Sequence, residues 1–252
     1  MSRIAIGLEY DGSRFLGWQT QPGGGTVQDV LQAALAAIAG EPITVSGAGR
    51  TDRGVHARGQ VAHYDTSAAR PDSAWVRGVN AFLPESVAVL WACAVEAEFH
   101  ARFSAVARTY RYRLLNRPVR PALAARYAGW YHAPLDVDAM RLAARALLGE
   151  HDFSAFRAAE CEAATPVRTV HSLDITREGE RIEFVIRANA FLHHMVRNIV
   201  GSLVYVGATK QPSGWVAEVL ASRDRNKAAP TFAPEGLYLE RVEYHTKWGL
   251  LR

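Results

Sequence analysis

The sequence predicts an α+β protein: two tandem ferredoxin-like (βαββαβ) halves that form an extended antiparallel sheet, with helices on one face and a cleft between the halves. Three observations predict it. Strand-like alternation and helix-like spacing follow one another in the order βαββαβ, and the same order then repeats. The chain has 252 residues, room for two units of ordinary size. Hydrophobic residues make up 49% and charged ones 21%, a composition that buries a core and leaves no segment to disorder.

Taken in order, Arg3–Tyr10 alternates with Ile4, Ile6 and Leu8 on one face, as a strand does. After a Gly-rich loop, Thr26 is the N-cap of a helix whose apolar residues Val27, Val30, Leu31, Ala34, Leu35 and Ile38 recur at helical spacing, and Gly40 and Pro42 stop it. Strands follow at Ile43–Ala48 and Gln60–Thr66. A helix over Asp72–Phe82 carries Trp75, Val76 and Val79, and a strand at Val87–Val95 closes the first half. The second half runs through strand Thr109–Leu115 and helix Val137–Leu148 behind Asp136. Strands Thr169–Arg177 and Arg181–Ala188 then flank the turn "EGE". Helix Leu192–Val206, a shorter helix over Trp215–Leu220 and strand Leu237–Tyr244 complete it. The expected division is 1–105 and 106–252, with the nearest thing to a linker at Arg102–Arg108.

Only three of the 29 basic residues are Lys. Arg is suited to bidentate phosphate contacts and to stacking on bases, although GC-rich coding accounts for such a bias equally well. Position is better evidence than number. Between Phe99 and Pro121, Arg102, Arg108, Arg111, Arg113, Arg117 and Arg120 alternate with Phe99, Phe103, Tyr110 and Tyr112, a mixture that fits an RNA surface. Two cysteines, Cys93 and Cys161, make no disulfide framework and have no zinc spacing, so the expected compartment is the reducing cytoplasm. No apolar run approaches the length of a membrane helix.

The loop "AGRTDRGVHARGQ", Ala48–Gln60, surrounds one carboxylate, Asp52, with Arg50, Arg53, His56 and Arg58. Spacing alone favours Asp52 as the former of an Asx-turn with the amides of Arg53 and Gly54, and His56 as a hydrogen-bonded loop residue. An ionised acid poised for chemistry is the other reading. "PGGGT", Pro22–Thr26, stands before a helix and could hold a phosphate there, or it is a flexible or RNA-facing loop; it lacks the Lys of a P-loop. His193 and His194 are adjacent on an expected helix, point apart and offer no metal-binding face.

The run "GRTDRGVHARGQV", with "EYDGSRFLGWQ" (Glu9–Gln19), "FHARFSAVARTYRY" (Phe99–Tyr112), "NAFLHHMVRNIVGSL" (Asn189–Leu203) and "EGLYL" (Glu235–Leu239), resembles the TruA family of tRNA pseudouridine synthases. The blocks stand in the family's order and extend over nearly the whole chain. The resemblance implies isomerisation of uridine to pseudouridine at positions 38, 39 and 40 in the anticodon stem-loop of tRNA, by a homodimer with no cofactor; an isomerisation without net bond-order change calls for no metal, and no membrane is expected as a partner. The resemblance also makes the cleft catalytic. Asp52 matches the family's catalytic aspartate, the nucleophile, and Arg50 the arginine beside it. Tyr110 matches the tyrosine that contacts the target base, and Leu237 lies in the block that lines the pocket. Phe99, His100, Ala101, Arg102 and Phe103 match an RNA-contacting segment, as do Glu160, Cys161, Glu162, Ala163 and Ala164. This second loop departs from the pattern, since "ECEAA" has no basic or hydroxyl side chain, and Arg157 and Arg168 on its flanks are the substitutes. Arg53 is an extra basic residue, for a phosphate or for water.

Two other classes remain open to the residues. A non-catalytic RNA-binding protein with RRM-like sheets would want an RNP1 pattern, which "RTYRYRLL" is not. A nucleoside hydrolase would want a second carboxylate, which Glu9 or Asp11 could supply.

Overall fold

The computed structural model describes residues 1–161 and 163–250. The chain is mixed α+β, with mostly antiparallel strands and few helices. It divides into two compact units, Met1–Val106 with Tyr238–Arg252, and Ala107–Leu237.

In the first unit, β1 (Ser2–Tyr10), α1 (Val27–Ala39), β2 (Ser46–Gly47), β3 (His56–Thr66) and β4 (Val87–Val95) follow in order. β1 is central, antiparallel to β3 on one side and to β4 on the other. β2 pairs antiparallel with β3 at Ser46↔His63, so the strand order is 4-1-3-2. Residues Ile4–Leu8 are all buried, which two-sided cover requires. The absence of side chains at Gly7 and Gly47 makes that cover possible. A Cβ on Gly7 would lie 2.0 Å from Trp91 Nε1, and one on Gly47 2.6 Å from the Trp18 ring. α1 begins at a full capping box, Thr26 with Asp29, and ends on Gly40 at φ 76°, where a left-handed residue releases the chain.

The second unit continues with β5 (Ala105–Asn116), β6 (Gly129–Tyr131), α2 (Val137–Ala144), β7 (Gly149–Asp152), β8 (Val167–Glu178), β9 (Arg181–Ala188), α3 (Met195–Gly207) and α4 (Trp215–Ser222), and β10 (Leu237–Tyr244) returns the chain to the first unit. Its sheet runs β5-β9-β8-β7, antiparallel throughout, and β6 lies parallel to β5. Tyr112, Leu114, Ile182, Phe184 and Ile186 supply its buried face, together with Ile199, Leu203 and Met140 from the helices.

Several elements differ from their sequence expectations. The strand expected at Ile43–Ala48 is two residues long, because the Gln28 and Gln32 side chains bond Val45 in place of a neighbouring strand. The helix expected over Asp72–Phe82 is widened into a π-segment at Ala74–Gly78. α3 starts three residues later than the spacing predicts, since His194 sits at φ 62°. The sequence boundary keeps 106–252 together, whereas the described residues from Tyr238 onward group with the first unit. There β10 runs parallel to β3, and Tyr244 and Trp248 cover Phe99.

Candidate active site

The main chain on both sides of Asp52 is held tightly. Gln60 on β3 has no exposed surface. Its amide adds a rung beyond β2, donating to the Gly49 carbonyl at 2.7 Å and accepting from the Gly49 N–H at 3.3 Å. The Thr51 carbonyl accepts the Trp18 N–H at 3.0 Å. Its hydroxyl shares a 2.8 Å hydrogen bond with the Tyr10 hydroxyl, which also accepts from Gln60 Nε2 at 3.4 Å. Beyond Asp52, the Val55 N–H donates to the Asp52 carbonyl at 3.1 Å across a turn with Gly54 at φ 80°. A main-chain hydrogen bond therefore spans this turn. Asp52 itself is half-buried, and Arg50 and Arg53 on either side are exposed.

His56 is a structural residue. It is 2% exposed, its Nδ1 accepts the Gly12 N–H at 3.1 Å and stands 3.2 Å from Asp11 Oδ1, and its ring stacks on Tyr238 at 4.7 Å. It ties the turn after β1 to the start of β3. Arg58 is paired with Glu240 at 3.0 Å on the surface.

A phosphate at the start of α1 is ruled out by the cap. The N–H groups of Thr26, Val27, Gln28 and Asp29 donate to Asp29 Oδ2, the Gly17 carbonyl, the Trp18 carbonyl and Thr26 Oγ1, respectively. All four orphan donors are used, and the Asp29 carboxylate repels an anion besides. Gly23, Gly24 and Gly25 all have positive φ, so the segment remains a loop that glycine alone makes cheap.

In the second unit, Tyr110 lies on β5 opposite Ile186 of β9. It is 8% exposed and meets Phe191 edge-on at 4.9 Å. Leu237 is 6% exposed and donates its amide to the Pro234 carbonyl at 2.9 Å. The segment before it is laid on β5. The Arg113 N–H donates to the Gly236 carbonyl at 2.8 Å, and Tyr112 donates its phenol to the Ala233 carbonyl at 2.8 Å. A Cβ on Gly236 would stand 2.4 Å from the Arg113 carbonyl, which is why glycine opens "GLYL".

Of the first expected RNA segment, Phe99 and Ala101 have no exposed surface. Phe99 packs against His63, Tyr244 and Trp248 as core. Side chains able to meet a ligand are those of His100, Arg102 and Phe103, the last 76% exposed with the Arg102 guanidinium 5.7 Å from its ring. Of the second segment, Glu160 and Ala164 are exposed and Cys161 and Ala163 half-buried; Glu162 lies outside the described residues. Arg168 turns its guanidinium to its own neighbours, donating to the Thr165 carbonyl at 2.8 Å and the Val167 carbonyl at 2.6 Å. Burial lowers its pKa. Arg157 is half-buried. His193 and His194 do not diverge as expected: with His194 left-handed rather than helical, their ring centroids are 4.0 Å apart.

Sequence reasoning did not single out Tyr10, Thr51 or Gln60, which fix the Asp52 loop. Their signal was indirect: three hydrogen-bonding side chains on positions that alternate toward the core.

A family model described as tRNA pseudouridine synthase matches residues 7–104 and 143–245. A protein named tRNA pseudouridine synthase A from Paraburkholderia xenovorans is 57% identical over 244 residues, 97% of this chain and 90% of the relative. Namesakes from Thiobacillus denitrificans and Bordetella parapertussis are 57% and 58% identical over 99% of this chain and 96% and 93% of their own lengths. Among solved structures, one titled as a Cbf5-Nop10-Gar1 complex aligns at a TM-score of 0.42 and 13% identity, over 94% of this chain and 48% of that one.

Proposed function

The chain belongs to the tRNA pseudouridine synthase family and is an isomerase acting on tRNA; from that premise we propose that it converts uridine to pseudouridine at positions 38, 39 and 40 of the anticodon stem-loop, with Asp52 as the catalytic carboxylate. The observation that carries the assignment is the loop itself. Two side chains from two strands, Tyr10 on β1 and Gln60 on β3, hold the main chain before Asp52, and a main-chain hydrogen bond spans the turn after it. Such a mount holds an acid in one place, as chemistry on a bound nucleotide requires.

In the reaction the C1′–N1 bond breaks, the uracil turns, a bond forms from C5 to C1′, and the C5 proton leaves as N1 gains one. An ionised carboxylate serves by attacking C1′ or C6, or by taking the C2′ proton to give a glycal. All three routes place Asp52 beside the sugar. The target nucleotide is paired or stacked, so it must be flipped out at a cost of a few kcal/mol. Arg50, exposed two residues before the acid, is suited to fill the vacated place and to favour the ionised acid. Tyr110 stacks on the base and assists loss of the C5 proton, and Leu237 lines the pocket. Arg102 and Phe103 contact RNA, with the loop 160–164 and Arg157 as weaker contacts.

The active form in this reading is a homodimer working in the cytoplasm; no described helix is long and apolar enough to cross a membrane. An isomerisation with no net redox change calls for no cofactor. The two halves are read as ferredoxin-like units in tandem, supported by the 4-1-3-2 order of the first.

The test uses tRNA tritiated at uracil C5. The native protein releases tritium to water, and Asp52→Asn stops release while still binding tRNA. Full activity in Asp52→Asn overturns the assignment, and free uracil among the products would make the protein a hydrolase instead.

A further inference from the structure

The turn Phe99–Ser104 is organised by two imidazoles. His100 Nδ1 accepts the N–H groups of Arg102 at 3.1 Å and Phe103 at 3.3 Å. In return the His100 N–H donates to Ser104 Oγ at 3.0 Å and the Ser104 N–H to the His100 carbonyl at 2.8 Å. This is a reciprocal cap in which histidine takes the place usually held by Asn or Ser. From β3, His63, only 6% exposed, accepts the Ala101 N–H on its own Nδ1 at 3.2 Å. Three consecutive amides therefore end on two imidazole nitrogens, and the rings stand 4.6 Å apart.

An Nδ1 that accepts carries no proton, so both rings must be neutral for the turn to hold this form. We propose that His63 and His100 are positioning residues that present Arg102 and Phe103 to RNA only while both imidazoles are unprotonated. The inference rests on the reading that this turn contacts tRNA, for which an exposed ring under a guanidinium is suitable chemistry.

Most of the surrounding charges act in the same sense. Arg3 on β1 donates to the Phe99 carbonyl at 2.8 Å and to the Ala97 carbonyl, and it opposes a second cation at either ring. Arg102 opposes charge on His100, and His100 opposes charge on His63. Asp65 favours charge on His63 but is occupied by Arg3 at 2.8 Å, with the chain's amino terminus also near it. Glu98 faces Arg3. From the chain's end, the Tyr244 hydroxyl donates to the Ala101 carbonyl at 2.7 Å, and Lys247 lies 4.5 Å from the Trp248 ring centroid. Burial is the largest influence on both rings and keeps them neutral. Protonation sets N–H against N–H at three amides and places two cations side by side.

The experiment measures the Kd for tRNA with the full chain from about pH 7.5 to about pH 4, for native protein, His100→Ala and His100→Asn. Since only the competent form binds, native affinity falls at least ~twofold by the acid end of this range, where His63 is half protonated. His100→Ala is weaker at every pH. His100→Asn, whose amide oxygen caps the same two N–H groups without titrating, recovers affinity over His100→Ala and has a shallower profile than native protein. A native profile that is flat, or a His100→Asn profile parallel to a falling native one, overturns the proposal. A separate measurement, the nitrogen chemical shifts of both imidazoles at neutral pH, overturns it without reference to RNA if either Nδ1 carries the proton. Phe103→Ala and Arg102→Ala distinguish failure of the underlying reading: if both bind tRNA as native protein does, the turn does not contact RNA.

Discussion

Tyr10, the last residue of β1, shares a 2.8 Å hydrogen bond with Thr51, the residue before Asp52. The strand end thereby sets the height of the candidate acid. Tyr10 is 4% exposed, and Gln60, its other partner, is fully buried. In Tyr10→Phe both partners lose a bond inside the protein, at ~1–2 kcal/mol of stability. Because only the support of the acid loosens, kcat should fall while KM changes little. Denaturant unfolding and steady-state kinetics check the two effects separately; a native kcat in folded Tyr10→Phe would remove Tyr10 from the positioning of Asp52.

Two glycines before α1 separate conformational cost from steric cost. Gly17 has φ 112°, and an added Cβ would stand 2.8 Å from the Thr51 carbonyl and 3.3 Å from the Asp52 carbonyl carbon. Gly23 has φ 95° with nothing within 4 Å. Both alanine variants incur backbone strain of ~1–3 kcal/mol, but only Gly17→Ala must also push the Asp52 loop. Tritium release should be lost in Gly17→Ala and retained in Gly23→Ala, compared at equal folded fraction by circular dichroism.

Legibility followed locality. α1 was readable because its cap, its apolar stripe and its stop all lie within fifteen or so residues and agree. β10 was readable for its alternation. β2 was not, because Gln28 and Gln32 reach in from α1 to satisfy Val45, a contact between segments that no local pattern announces. The late start of α3 depends on the left-handed His194, a backbone choice invisible in an apolar run. At the site, Asp52 read by spacing was a turn former, and the motif resemblance gave it another role. The structure adds what neither could, that the turn closes through its main chain. Phe99 shows the reverse limit: a motif position in an RNA-contacting segment is core, and its neighbours carry the surface.

Acid should destabilise the fold through His63. Burial and the charges of His100 and Arg3 lower its pKa from 6.5 to about 4. Between those values the unfolded chain binds the proton and the folded one does not, so stability rises with pH. The contribution is fully present above about pH 6.5 and is lost as pH falls through about 4, amounting to ~3 kcal/mol at most. Urea midpoints measured across this window should drop for native protein and drop less for His63→Asn. Equal slopes would place the acid sensitivity elsewhere.

The last prediction concerns Asn198, fully buried on α3. Its Nδ2 donates to the Phe156 carbonyl at 2.7 Å, and its Oδ1 accepts from Thr231 Oγ1 at 2.7 Å and Arg225 Nη2 at 3.1 Å. Arg225 also donates to the Ala229 carbonyl at 2.9 Å, and burial lowers its pKa, a cost that these acceptors offset. Asn198→Leu keeps the volume but takes one partner from each of three polar groups, costing ~2 kcal/mol or more. Arg225→Met in addition removes the half-buried charge, so the double variant should be less destabilised than the sum of the singles, by ~1 kcal/mol or more in a thermodynamic cycle. Thr231 leads along one stretch of chain to Phe232, whose carbonyl accepts Arg197 Nε at 2.8 Å, to Ala233 against Tyr112, and so to Leu237. A loosened network therefore disturbs Leu237 without touching it: kcat/KM for tRNA should fall in Asn198→Leu even where the protein is fully folded, and partial recovery in the double variant would trace the loss to the stranded charge rather than to the missing amide.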